Sequence, residues 1–375
     1  MKKLSTPIID EVCDLNNFPE SHKDEIKDIA QMLKKRGREL WIQTSLADEL
    51  RSQQVGEEVT FVVNQNINFT QYCIGSCSFC SYSLKPSKNK DKSSRMTIDE
   101  IGIEAEKAIA RGCTEICIQG GLDNELDFGF YLDILKKIKS VSSSLHVHGF
   151  SPAEIAFMSQ ISGETVEDVF KELIAHGLDS FPGTAAEILV DDVRRKICPE
   201  KISTNQWSNI VLMGHSLGLK STATIMYGHI ETYLEEAQHL AILKHLQSLS
   251  GGFTEFIPLS FVYPNTRLYR YMGARPSSSG MHDLALLSTA RLYLGETFTN
   301  IQASWVKLGP KFAQVSLNAG VNDLGGTLFT ENITKSAGGT FGEEKNVEEF
   351  IDLIKDAGRI PVQRDTLYNK IKSFY

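Results

Sequence analysis

No stretch of this chain approaches the length of continuous apolar sequence that a membrane helix needs. No run of lysines and arginines is long enough to track a phosphate backbone, and the net charge is −8. Membrane insertion is therefore not expected, and nucleic acid is disfavoured as a partner. The one basic patch, Lys85 to Lys92, alternates with Ser, Pro, Asn and Asp and reads as a solvated loop. The start, Met1-Lys2-Lys3-Leu4-Ser5-Thr6-Pro7, has no apolar signal region behind it. With an odd count of seven cysteines, a reducing, cytoplasmic setting is expected. Internal repeats and low-complexity segments are missing too. What remains is ordinary: 375 residues, 41% hydrophobic and 23% charged, enough for a sizeable core in one large or two ordinary domains.

One further absence carries chemistry. Cys73, Cys77 and Cys80 fall within eight residues as C-x3-C-x2-C, yet no second C-x-x-C pair exists and the nearest downstream histidine is His146. A zinc site usually shows a fourth Cys or His at short spacing. Buried structural thiols are the other bland reading, but three so close on a turn would be unusual. A four-iron cubane usually takes one cysteine thiolate per iron, so three thiolates leave one iron open to a non-protein ligand. The loop resembles the signature of the radical S-adenosylmethionine (SAM) superfamily. The resemblance implies one [4Fe-4S] cluster held by three cysteines, with SAM chelated on the open iron through its amino and carboxylate groups. It also implies reductive cleavage of SAM to a 5′-deoxyadenosyl radical.

Strands and helices alternate around this loop. The spacing of Lys23 to Leu33 and the Ser45-capped Leu46 to Leu50 predict helices, giving a helical N-terminal cap over residues 1–58. β-Branched and aromatic runs predict strands at 60–69, 115–119, 145–150, 178–181, 221–227, 253–259 and 300–305, and Val315 to Val321 supplies an eighth. A helix begins at Thr97 and runs to Gly112; another opens at Ser151-Pro152, and Ala185 to Arg195 also reads as helical. Eight such alternations point to an α/β fold, a (β/α)8 TIM-type barrel over 59–325. Residues 326–375, with Asn346 to Ile354, read as a C-terminal helical extension.

In such barrels the chemistry lies where strands end. Gly120-Gly121 closes the second strand, where glycines admit close backbone approach; with Gln119 it resembles the superfamily's turn that meets the SAM amino group. Gly228-His229-Ile230-Glu231 resembles its G-x-x-E element, which supports the adenine. The resemblance also places Phe79 beside the adenine and Glu187 near the ribose hydroxyls, although a solvated carboxylate is commoner for any single Glu. His146 and His148 share one strand face and are catalytic candidates for moving a substrate proton, together with Glu255. Gln302, Ser304, Asn322 and Asp323 fall near strand ends and face a polar substrate in this reading. Cys113, Cys117 and Cys198 read as buried small hydrophobes.

Within the superfamily the chain is similar to the tyrosine-using subunits of deazaflavin (FO) synthase. The stretches that carry this are Asn66 to Thr70, His146 to Pro152, Pro182 to Leu189, Ile197-Cys198-Pro199, Met226 to Thr232, Gly251 to Leu259 and Asn322 to Thr327. Menaquinone-pathway futalosine enzymes share the cysteine loop and an Asn-Asp pair, but usually differ at Pro-Gly-Thr-Ala-Ala-Glu and Gly-Phe-Thr-Glu-Phe. Gln65 stands where the family often has Arg, and Gln71 where Asn is usual. The resemblance implies transfer of the 4-hydroxybenzyl group of L-tyrosine to C5 of 5-amino-6-(D-ribitylamino)uracil, with 2-iminoacetate released. It implies two partners as well: a ring-closing subunit 1, since only one cysteine triad is present, and an electron donor such as flavodoxin or ferredoxin. The readings from other classes are an electron-transfer iron–sulfur protein and a zinc module.

Overall fold

The computed structural model describes residues 20–85, 94–342 and 344–375. Met1 to Pro7 and residues 86–92 of the basic patch lie outside the described residues. Ten strands are described, numbered here in chain order: β1 (Glu58–Val62), β2 (Asn64–Asn68), β3 (Glu115–Gln119), β4 (His146–Gly149), β5 (Ser180–Phe181), β6 (Lys220–Tyr227), β7 (Phe253–Ser260), β8 (Asp323–Gly326), β9 (Ile360–Arg364) and β10 (Lys370–Ser373). One sheet runs β2-β3-β4-β5-β6-β7, all parallel, and the other runs β10-β9-β1-β8. Single bridges, Phe256 to Ile301 and Gln302 to Asp323, carry the pairing from β7 to β8. β8 pairs with β1, which continues into β2. The pairing thus runs round a ring, as the eightfold alternation predicts.

Helices cover the outside of the ring, and their ends are specified by capping. Thr97 caps the helix Ile98–Ala110 in a reciprocal box with Glu100, and Ser151 caps Pro152–Ser162 with Glu154. Helices Glu20–Lys34 and Gly37–Val55 pack against Tyr233–Ser250 and Gly280–Leu294. Ile116, Ile118, Val147, Ala223 and Phe256 are fully buried under this layer. The inward positions differ in kind. Asn64, Asn66 and Asn68 on β2, Glu115 and Gln119 on β3, His148 on β4, Thr222 and Thr224 on β6 and Glu255 on β7 line a lumen of about 270 Å³. Period-two alternation therefore separates an apolar exterior from a polar interior.

Three local expectations are corrected. Val315–Val321 is not the eighth strand: it holds the end of helix Pro310–Ser316 and a 3₁₀ turn, Leu317–Ala319. The strand is Asp323–Gly326 instead. The helix expected from Ala185 begins only at Asp191, because Ala185 and Glu187 take left-handed φ of 64° and 47°. Arg194 holds this turn open by donating to the carbonyls of Ala185, Ala186 and Ile188. The tail carries helix at Ile333–Ser336 and Val347–Asp356 as expected, and also β9 and β10. β9 pairs in parallel with β1 along all five residues and brings Arg364 to the floor of the lumen.

Candidate active site

Two cavities meet inside the ring. The outer one, about 290 Å³, is lined by Cys73, Cys77, Cys80, Phe79, Gln119, Gly120, Gly121 and Glu187, so the structure brings these expected residues together. It shares Asn68, Gln119, Thr184, Thr224, Leu259, Lys307 and Ile333 with the lumen. The cysteine loop is tied on three sides. Cys73 N–H donates to Leu84 O (3.0 Å), Ile74 N–H to Leu122 O (2.9 Å) and Ser78 N–H to Ile197 O (2.8 Å). All three cysteines are half-buried. Among the described residues, no three Cys, His, Asp or Glu side chains converge on a point that one metal ion could occupy.

The glycines admit a backbone approach. A Cβ on Gly120 would stand 2.4 Å from the Phe69 ring, and one on Gly121 2.1 Å from Tyr72 O. Any larger residue would drive β3 away from the thiol loop. Gly120 N–H donates to Glu154 (2.9 Å), a buried carboxylate that also accepts from Ser151 N–H and Oγ (both 2.7 Å). Burial raises the Glu154 pKa against these hydrogen bonds. Lys201 pairs with Glu187 at 2.5 Å and lies over the Phe79 ring at 5.2 Å. Sequence reasoning missed Glu154 and Lys201; the capping box Ser151-to-Glu154 was the available signal for the first, and the second had none. Burial pushes the Cys77 thiol up to about 12, with Lys201 pulling the other way.

Gly228 and Glu231 do not line the thiol cavity themselves, although Met226 just before them does. The Glu231 carboxylate accepts from Gly228 N–H (2.6 Å), His229 N–H (2.9 Å) and Arg275 (2.6 Å), so it folds its own turn. Gln302 and Ser304 do line the lumen. Asn322 and Asp323 do not: Asn322 accepts from Arg291 and Ile301 N–H, and Asp323 accepts from Arg364, Thr60 and Gly325 N–H. Cys113 and Cys198 are buried, but Cys117 faces the lumen.

His146 Nε2 and His148 Nδ1 both meet Ser180 Oγ at 2.7 Å. A hydroxyl donates once, so in the neutral pair at most one ring accepts from Ser180 and at least one donates to it. Burial lowers both, His148 to about 4, which keeps them uncharged at neutral pH. Glu255 on the floor accepts from Tyr368 Oη (2.9 Å), and burial raises it to about 7.

These two shifts act oppositely on stability. Folded Glu255 binds its proton more tightly than the unfolded chain, so its contribution is full below pH 4.5 and is lost as pH rises through 7. His148 is depressed from 6.5 to about 4, so its contribution holds above pH 6.5 and is lost as pH falls through 4. Glu255→Gln should therefore lose stability more steeply than the parent on acidification from pH 7 to 4.5. Denaturation midpoints at several pH values will check this; parallel curves would contradict it.

The sequence profile of the radical SAM superfamily matches residues 67–242, and that of the CofH/MqnC C-terminal region matches 250–374. The chain is 49% identical to a 5-amino-6-(D-ribitylamino)uracil–L-tyrosine 4-hydroxyphenyl transferase of Methanopyrus kandleri over 88% of both chains. It is 51% identical to the transferase of that name from Archaeoglobus fulgidus, over 86% of this chain and 92% of the relative. The chain belongs to this radical SAM transferase family. Methylornithine synthase (PylB) shares the fold at a TM-score of 0.69 and 18% identity, over 94% of this chain and 97% of that one. So does HydG, a maturase of the [FeFe]-hydrogenase, at 0.68 and 14%, over 96% and 80%.

Membership of a radical SAM family implies a [4Fe-4S] cluster and SAM. The residues present fit them. Three cysteines line one cavity wall, the donor type such a cluster takes, and the two glycines leave bare backbone beside them. Cys77 is desolvated enough that its thiolate needs an adjacent cation.

Proposed function

We infer that this chain transfers the 4-hydroxybenzyl group of L-tyrosine to C5 of 5-amino-6-(D-ribitylamino)uracil, releasing 2-iminoacetate, in the synthesis of a deazaflavin. The observation that carries this is the 49% identity over 88% of both chains to a transferase of that name. The C-terminal profile covers MqnC as well as CofH, so the relatives named as transferases, rather than that profile, favour tyrosine chemistry over a futalosine substrate. Cys73, Cys77 and Cys80 would hold the cluster and leave one iron to SAM, which together supply, on reduction, a 5′-deoxyadenosyl radical.

The chain's own residues bind, orient and exclude water. Gly120, Gly121 and Gln119 offer close-approach backbone and an amide beside the thiols, where the SAM amino group would lie. Glu187, oriented by Lys201, is the carboxylate available for ribose hydroxyls. Phe79, Met226 and Phe261 make the cavity wall apolar and keep bulk water from a radical pair. Neutral His148 and the high-pKa Glu255 are placed in the lumen to hold or accept a substrate proton. No helix among the described residues is long and apolar enough to cross a membrane. With one triad, ring closure falls to a second radical SAM subunit, and the electron comes from a flavodoxin- or ferredoxin-type donor.

Anaerobic incubation with SAM, dithionite and both substrates, read by mass spectrometry, tests the reading. Tyrosine and the ribityl-aminouracil should disappear together as deoxyadenosine accumulates. Turnover of a futalosine-type substrate in their place would overturn it.

A further inference from the structure

At the waist where the two cavities meet, a half-buried cation and a buried anion stand without an ion pair. Lys307, on the helical turn Trp305–Leu308, lines both cavities, and Glu331 lines the lumen. Among the described residues neither forms an ion pair. Thr334 holds them apart: its hydroxyl accepts from Lys307 Nζ at 2.6 Å, and its backbone N–H donates to the Glu331 carboxylate at 2.9 and 3.2 Å.

Opposite charges in a low-dielectric interior attract strongly, and an uncompensated buried charge is expensive. Left to themselves these two would close into a bridge. The backbone leading to Glu331 is fixed. Leu328 and Thr330, just before Glu331, take left-handed φ of 52° and 65°, a strained state for side-chain-bearing residues. They are stitched to β2 by Leu328 N–H to Asn64 Oδ1 (2.9 Å) and Thr330 Oγ to Asn66 O (2.6 Å). Burial pulls Lys307 down while Glu331 and Glu187 hold it up, and Glu187 is already taken by Lys201.

We propose that Lys307 and Glu331 form the receptor for the zwitterionic head of the amino-acid donor, Lys307 taking the α-carboxylate and Glu331 the α-ammonium. This rests on the function proposed above and deepens it. The ligand closes the circuit the protein leaves open, each of its charges meeting one partner on the cavity wall. The neutral amides of Asn66 and Asn68, with Oδ1 and Nδ2 lacking partners, are left for the uncharged acceptor.

The test is equilibrium binding to the reconstituted enzyme with SAM and no reductant, so that nothing turns over. The probes are L-tyrosine, tyramine, which lacks the carboxylate, and 3-(4-hydroxyphenyl)propanoate, which lacks the amine. Lys307→Met should weaken tyrosine and the propanoate roughly 10- to 100-fold and leave tyramine as in the parent. Glu331→Gln should weaken tyrosine and tyramine and spare the propanoate. Equal loss for all three probes would mean that these residues merely shape the loop, and no loss would mean that they face water; either overturns the assignment while tyrosine binding by the parent keeps the function. A parent enzyme that binds none of the probes would sink the proposed function and the assignment with it.

Discussion

Cys77→Ala should silence SAM cleavage, with deoxyadenosine falling to the level released without enzyme. The expected loss exceeds the roughly 10- to 100-fold that removal of an outer-shell partner costs a metal site, because a cluster corner goes with the sulfur. Cys77 sits partly buried beside Lys201, where desolvation keeps a free thiol protonated, so bound iron is what turns it into a ligand. Cys198 is the control: it is buried close enough to influence Cys77 but lies outside the triad and the cavity wall. Cys198→Ala should keep its iron and sulfide content, while Cys77→Ala, Cys73→Ala and Cys80→Ala should each lose them. Iron analysis and deoxyadenosine release are read on the same preparations. A Cys77→Ala enzyme that cleaves SAM at the parent rate would remove the ground for a radical mechanism.

Legibility in the sequence followed how locally each feature is encoded. Glu115–Gln119, Lys220–Tyr227 and Phe253–Ser260 lie close to their expected bounds because strands covered by helices need apolar outward faces. The capped starts at Thr97 and Ser151 were readable because a capping box lies within four residues. β8 was not readable. Asp-Leu-Gly-Gly has no strand propensity, and its glycines answer to distant neighbours: a Cβ on Gly325 would meet Gln302 at 2.3 Å, and one on Gly326 Asn64 at 2.2 Å. Nearby Val315–Val321 has the composition of a strand but too little periodicity to separate it from helix. The site divides similarly. The thiols and the Gly-Gly turn announce themselves by spacing, whereas Lys201, Lys307 and Glu331 acquire meaning only when the ring places them on one cavity. Glu231 is legible for the same local reason, since its carboxylate accepts from the N–H groups of Gly228 and His229 within its own motif.

The C-terminal strands β9 and β10 have little polarity pattern of their own, yet Arg364 at the end of β9 should prove the costliest surface-remote side chain to remove. It is 2% exposed and donates to Asp323 at 2.6 Å. It also approaches Glu255 at 3.6 Å and stacks on the Tyr368 ring at 3.9 Å. Glu115 completes the floor, accepting from Asn64 (2.8 Å) and Thr366 (2.7 Å). Two carboxylates, Asp323 and Glu255, thus share one guanidinium. Arg364→Ala leaves Asp323 buried without its cation, a change that costs about 3–5 kcal/mol. Thr366→Val removes one hydrogen bond to a charged group and should cost about 1.5–3 kcal/mol. Denaturant midpoints of the two variants should rank in that order, and Arg364→Lys should fall between, since an ammonium matches neither the stacking nor the fork of donors. An Arg364→Ala protein as stable as Thr366→Val would mean that water reaches Asp323, and that β9 does not seal the lumen from below. If the ranking holds, the C-terminal region is the floor of the reaction chamber, which gives a physical reason for one family's profile to span residues 250–374 as a unit joined to the radical SAM barrel.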